Sequence, residues 1–144
     1  MPTWNIRPFA IDDYMAARAL WEASEGVGLD GSDSRERIEA FLRRNPGLSA
    51  VAEQDGTVVG AVLCGHDGRR GLIYHLAVAR EHRRQGVGAA LVAAALVALR
   101  AEGIRKCHVL VFADNDEANQ FWRRQGAKIR TDLTLSTFTI EDAP

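Results

Sequence analysis

The segment Leu72–Val78 reads LIYHLAV and runs through the charged loop Ala79–Gln85 into Gly86-Val87-Gly88. A long stretch of alanine, leucine and valine follows, ending at Glu102-Gly103. A short, dense apolar run of this kind is a central strand covered on both faces. The stretch after it has the composition of a helix from about Gly86 to Glu102, stopped by Gly103. Strand, basic loop, glycine pair and helix in that order restrict the chain to an α/β arrangement. They also set unpaired N–H groups and the positive end of a helix dipole beside Arg83 and Arg84, a combination that suits an anion with several phosphates. A plain helix start behind a solvated arginine run would look the same over so short a motif. Two familiar phosphate sites are absent. The P-loop lacks its Gly-Lys-Ser/Thr, and the dinucleotide fingerprint lacks both a glycine directly after the strand and the third glycine, where Leu91 stands.

The remaining segments complete one domain over residues 1–144. Trp4 to Pro8 is expected as an opening strand. Asp12 or Asp13 caps a helix from about Tyr14 to Ser24, and Gly26, Gly28 and Gly31 open a loop. Asp33 with Glu36 resembles a capping box before a second helix, which Asn45-Pro46-Gly47 stops. Ser49–Gln54 and Thr57–Cys64 form a hairpin around Asp55-Gly56, a type I′ turn signal. Lys106–Phe112 is a further strand, and Asn115 caps a helix through Gln125 with Gly126 as its stop. Lys128–Thr131 and Leu133–Ile140 are expected as closing strands. The fold class is α/β (α+β) in the order β-α-α-β-β-β-α-β-α-β-β, a mixed, mostly antiparallel sheet of about seven strands with helices on both faces.

Composition excludes several partners. A net charge of -1, 47% apolar and 26% charged residues describe a globular chain with no pull toward nucleic acid or an anionic membrane. RNA binding through Arg80, His82, Arg83 and Arg84 is disfavoured, because that run has no interleaved aromatics. No apolar stretch reaches the roughly 18 residues of a membrane span, and MPTWNIRPFA has no basic-then-apolar leader pattern. Cys64 and Cys107 lie in apolar alternating segments and read as reduced thiols of a cytoplasmic protein. The four histidines have no metal-ligand spacing, so no metal is expected.

Arg83-x-x-Gly86-x-Gly88, after a strand ending Leu76-Ala77-Val78, resembles the acetyl-CoA pyrophosphate motif of the GNAT superfamily of N-acetyltransferases, Gln/Arg-x-x-Gly-x-Gly/Ala. Asn115-x-x-Ala118-x-x-Phe121-Trp122-x-x-x-Gly126 is similar to the family's second block, Asn-x-x-Ala-x-x-Leu/Phe-Tyr-x-x-x-Gly-Phe. The resemblance implies acetyl transfer from acetyl-CoA straight to an amine, with no covalent enzyme intermediate. It implies that the LIYHLAV strand splays from the KCHVLVF strand, so that Leu76, Ala77 and Val78 pair with pantetheine as an added strand would. The pyrophosphate would lie on the N–H groups of Arg84, Gln85, Gly86, Val87, Gly88 and Ala89, with Arg83 adding charge, and Asn115 would reach the pantetheine arm. Trp122 belongs to the cofactor-binding set or, equally, to the core beside Phe121. The implied partners are an amine-bearing small molecule or peptide and, in a homodimer, a second copy.

The chain departs from the family pattern at two places. Trp122 replaces a tyrosine often assigned as the acid for the leaving thiolate; an indole N–H donates a hydrogen bond but gives up no proton. An alkyl thiol, with a pKa near about 8.5, leaves tolerably without that help. Carboxylates that some relatives carry as the base are replaced by Leu72 and Leu110. Tyr74 and His75 remain as candidate bases, and Tyr74, two residues from Leu76, is expected on the same face. A relayed water is an equal alternative, and a plain role as satisfied core residues is the alternative for both side chains. The loop between the first two helices, placed by the resemblance over the acceptor, holds Glu22, Glu25 and Asp30, which suit a cationic amine; Asp33 is expected to be engaged as a cap. An acyl-CoA-binding sensor without catalysis is the alternative from a different class.

Overall fold

A computed structural model describes residues 3–140 and arranges five strands in the order β1-β2-β3-β4-β5. They are β1 (Asn5–Pro8), β2 (Ala50–Gln54), β3 (Thr57–His66), β4 (Gly71–Val78) and β5 (Cys107–Val109). The first four pair antiparallel and β5 joins β4 in parallel, so the sheet is mixed. Asp55 and Gly56 both take positive φ, 51° and 81°, as a type I′ turn between β2 and β3 demands. The helices are α1 (Tyr14–Ala23), α2 (Arg35–Arg44), α3 (Val87–Ala101) and α4 (Asp116–Arg124).

The sheet has an apolar core on each face. On one, α3 lays Val87, Leu91, Ala95 and Leu99 over Ala52, Val62, Cys64 and Ile73. The helix comes close because Gly60 has no side chain; a Cβ there would meet Val87 Cγ1 at 2.9 Å. On the other face α1 and α2 set Tyr14, Ala17, Trp21 and Ile38 against Val51, Ala61, Leu63 and Ala77. Trp21, fully enclosed, is the largest of the buried side chains.

Several expectations need correction. The closing strands near Lys128–Thr131 and Leu133–Ile140 are not formed, which leaves five strands where about seven were expected, and residues 128–140 are all exposed. Their apolar side chains change parity, from Leu133 and Leu135 to Phe138 and Ile140, so no single face of an extended segment collects them. The strand expected over Lys106–Phe112 shrinks to Cys107–Val109, with Leu110 and Phe112 more than half exposed. Ser34, not Asp33, caps α2, its Oγ accepting from Arg37 N at 3.3 Å. Asp13 precedes α1 without capping it; its carboxylate accepts from Ala10 N and from the Arg7 guanidinium.

Candidate active site

The geometry turns on β4. In its register with β3, Ala77 faces Ala61 and Tyr74 faces Leu63, so two residues, His75 and Leu76, stand opposite Val62 alone. This is a β-bulge on β4, and His75 takes φ 53° to make it. Histidine is one of the few side chains found often in that left-handed region. The bulge puts two consecutive side chains on one face. Tyr74 lies edge-on to Phe41, ring centres 6.1 Å apart, and His75 lies 5.2 Å from the Trp21 ring, both on the α1/α2 side. Leu76 and Val78 pack on the α3 side. The expectation that Tyr74 shares the face of Leu76 is therefore overturned, because strict alternation stops at a bulge.

On its other side β4 has a free edge. Pairing between β4 and β5 covers only Gly71 to Ile73 with Cys107 to Val109, while β4 runs on to Val78. Ala77 is paired with Ala61, and Ala79 N donates to Val59 O at 2.8 Å, so these backbones point toward β3. By alternation Leu76 and Val78 turn their N–H and C=O groups to the open side. Arg83 Nε donates to Val78 O at 3.2 Å and so closes the far end of that edge.

After β4 the chain passes a 3-10 turn at Arg80–His82, then Arg84 at φ 61° and Gly86 at φ 84°, which is the N-cap of α3. The first intrahelical acceptance is Ala90 N to Gly86 O, and no backbone acceptor takes the N–H groups of Gly86, Val87, Gly88 and Ala89 among the described residues. Arg83, Arg84, Gln85 and Gly86 are exposed, whereas the Val87 side chain is buried in the α3 core. No ion pair among the described residues uses Arg83 or Arg84. The two glycines differ: a Cβ on Gly86 would meet nothing within 4 Å, but one on Gly88 would meet Phe121 Cε1 at 3.3 Å. Gly86 thus serves the backbone turn, and Gly88 makes room for α4. These exposed donors at a helix start and the open β4 edge match an extended, phosphorylated cofactor in hydrogen-bond character and charge.

On the α1/α2 side, His75 Nε2 lies 2.7 Å from Asp33 Oδ1, and their side chains are 18% and 10% exposed. Asp33 Oδ2 accepts from Asp30 N at 3.0 Å, while its backbone oxygen accepts from Tyr14 Oη at 2.7 Å and Arg18 Nη1 at 3.1 Å. Burial raises the Tyr74 phenol above its ordinary 10.0, so it keeps its proton at neutral pH. Asp33 is the residue that sequence reasoning missed. Its local pattern predicts a helix cap, and 42 residues separate it from His75, so no local pattern could join them.

The remaining candidates are placed as follows. Asn115 caps α4, its Oδ1 accepting from Ala118 N at 3.1 Å, and a Cβ on Gly26 would lie 2.4 Å from its Nδ2. The loop after α1 therefore packs on the start of α4. Trp122 is half-buried against the α3-side core, edge-on to Phe121 at 5.2 Å. Of the acidic trio, Glu22 pairs with Arg18 at 3.0 Å and Asp30 accepts from Ser32 N at 2.8 Å. Glu25 alone lines the cleft between this loop and α4, with Phe112, Asp114, Asp116 and Glu117. No group of three or more potential metal ligands occurs among the described residues, and none of their helices is long and apolar enough to cross a membrane.

Residues 14–127 match the family model described as Acetyltransferase (GNAT) family. An acetyltransferase of Pectobacterium atrosepticum is 35% identical over 138 residues, covering 96% of this chain and 97% of that one. One from Yersinia pestis (strain Pestoides F) is 38% identical with the same coverage. In fold, the chain is similar to the PaiA N-acetyltransferase of Thermoplasma acidophilum, solved in complex with coenzyme A. The TM-score is 0.78 at 20% identity, over 90% of this chain and 92% of that one. Open β4 edge, glycine-started α3 and whole-chain similarity agree: the protein belongs to the GNAT acetyltransferase family.

Proposed function

We propose that this member of the family is an acetyl-CoA-dependent N-acetyltransferase that acetylates an amine, with His75 as the base. The observation that carries the reading is the parting of β4 from β5 beyond Ile73 and Val109, which leaves Leu76 and Val78 without a neighbouring strand on that side, Val78 O being met only by the Arg83 side chain. Acetyl-CoA supplies the activated thioester. Pantetheine amides extend the sheet along that edge. The pyrophosphate lies on the N–H groups of Gly86 to Ala89, with Arg84 adding charge. Held there, the thioester carbon comes to the bulge, where an amine attacks. The C–N bond forms, the C–S bond breaks, the amine proton passes to His75, and the thiolate departs on its own stability. Tyr74, held protonated, is left to line the groove. Trp122 packs against the α3 core and gives no proton.

For the acceptor we favour a cationic amine in the cleft of Glu25, Asp114, Asp116 and Glu117. Single exposed charges contribute below about 1 kcal/mol each, but several lining one cleft focus the field.

The test follows thiol release from acetyl-CoA over a panel of amines, with calorimetry of acetyl-CoA binding. Binding together with acceptor-dependent release is expected, strongest for cationic amines and weakening with salt. Absence of binding would sink the proposal, and binding without turnover on any amine would favour the sensor alternative.

A further inference from the structure

We infer that Asp33 is a positioning residue that sets the tautomer of His75, so that the free nitrogen facing the acceptor is Nδ1. The inference rests on His75 being the base, as proposed above, and on the way Asp33 is held.

Asp33 has no freedom to choose its partners. Its N–H donates to Asp30 O at 3.0 Å, its Oδ2 accepts the Asp30 N–H at 3.0 Å, and its backbone oxygen is tied to Tyr14 Oη and Arg18 Nη1 on α1. Oδ1 is thereby aimed at His75 Nε2, 2.7 Å away. A carboxylate accepts and cannot donate, so Nε2 must carry the hydrogen. In the neutral ring the lone pair then sits on Nδ1. Among the described residues the buried side-chain atoms without a partner are Trp21 Nε1 and His82 Nδ1. His75 Nδ1 is not one of them and has no hydrogen-bond partner among the described residues, so it stays accessible to solvent. The tilted Trp21 indole, 5.2 Å away, holds the ring's plane. The α1–α2 loop thus supplies a fixed acceptor behind the imidazole, and the acceptor amine meets a nitrogen already able to take its proton.

The same bonds dictate what an amide would do at this place. In Asp33→Asn the carbonyl oxygen must remain opposite the Asp30 N–H, since turning the amide would set two donors face to face in a part-buried site. The NH2 group then points at His75 Nε2, which has to accept. The hydrogen moves to Nδ1, and the nitrogen facing the acceptor can no longer take a proton. Shape and volume are nearly unchanged; what differs is the tautomer and the carboxylate charge, and the NMR reads the tautomer by itself.

The experiment pairs imidazole nitrogen NMR of the histidine-labelled full chain with turnover. The His75 signal is assigned by its absence in His75→Gln, and the tautomer is read without either substrate. The expected result, read at a pH where the ring is neutral, is the Nε2–H tautomer in the wild type and the Nδ1–H tautomer in Asp33→Asn. The same substitution should lower kcat about 10²–10⁴-fold, the range of a lost general base, with the acetyl-CoA KM unchanged. Asp33→Asn/His75→Gln should be no slower than His75→Gln, because both remove one function. A wild-type Nδ1–H ring overturns the inference even if the variant fails to fold. So does full kcat in Asp33→Asn, or a double variant whose losses multiply. A wild type that binds no acetyl-CoA would sink the acetyltransferase reading by a separate measurement, and the tautomer would still be decided by NMR.

Discussion

The two faces of the sheet solve different problems with different materials. The α3 face is covered by an apolar cluster, and what it offers a ligand is backbone: N–H groups at Gly86 to Ala89 and the edge of β4. The α1/α2 face carries buried polar side chains within its packing, among them Asp13 and Asp33, and what it offers is a side chain, His75, held by other side chains. A backbone site needs only a local conformation to exist. A side-chain site needs several elements at once to be correctly docked, so it should be the more easily lost when packing is disturbed.

The largest effect that would sharpen this contrast is at Trp21, enclosed between Phe9 and His75. Trp21→Ala should cost about 3–5 kcal/mol by thermal or urea unfolding. Trp21→Phe should cost far less than its lost volume suggests, since the indole N–H is buried without a partner. Equal losses for the two would break the account of this face.

Asp13 comes next. Arg7 Nη1 and Nη2 donate to its two oxygens, both at 2.8 Å, and these bonds hold the carboxyl below its ordinary 3.8. A depressed pKa means stability that is present above the unfolded value and lost as pH falls through the folded one. Asp13→Asn should therefore cost about 1–3 kcal/mol at neutral pH. The gap from wild type should close as pH drops below 3.8. A pH-independent gap in urea unfolding would show that the ion pair is not its source.

On the other face, Gly86→Ala forces a Cβ into φ 84° at a cost of about 1–2 kcal/mol. It also tilts the N–H array, so acetyl-CoA affinity by calorimetry should fall about tenfold or more while the His75 tautomer stays put. If the affinity did not change, the backbone site would lie elsewhere. The smallest effect concerns the thiols of the α3-side core. Burial pushes Cys64 up to about 12 and Cys107 up to about 11, from 9.0. In the folded chain both should react with an alkylating reagent about 100-fold or more slowly than in urea. Fast labelling would show that the apolar face opens.

Order, type and approximate limits of β1–β4 and all four helices were legible because each rests on a local period, a turn or a stop signal. Asp55-Gly56 specifies its own turn, and Gly86 its own helix start, within a few residues. The glycine-started turn into α3, where the proposed phosphate site lies, was legible for the same reason. The two closing strands were not, because alternation describes a face while a strand also requires a partner edge. The bulge at His75 was equally invisible, since φ 53° there follows from β3 and β4 differing by one residue between Ala61 and Leu63.

By itself, then, the sequence determined the alternation of strands and helices, the glycine-started α3 and the family, since these depend on neighbours in the chain. The tertiary structure alone decided that Tyr74 and His75 share a face, that Gly88 serves Phe121, and that Asp33 leaves its expected cap to hold His75. Those outcomes depend on contacts between residues far apart in sequence, and a hydrogen bond of 2.7 Å across 42 residues exists only once the sheet and both helices are in place.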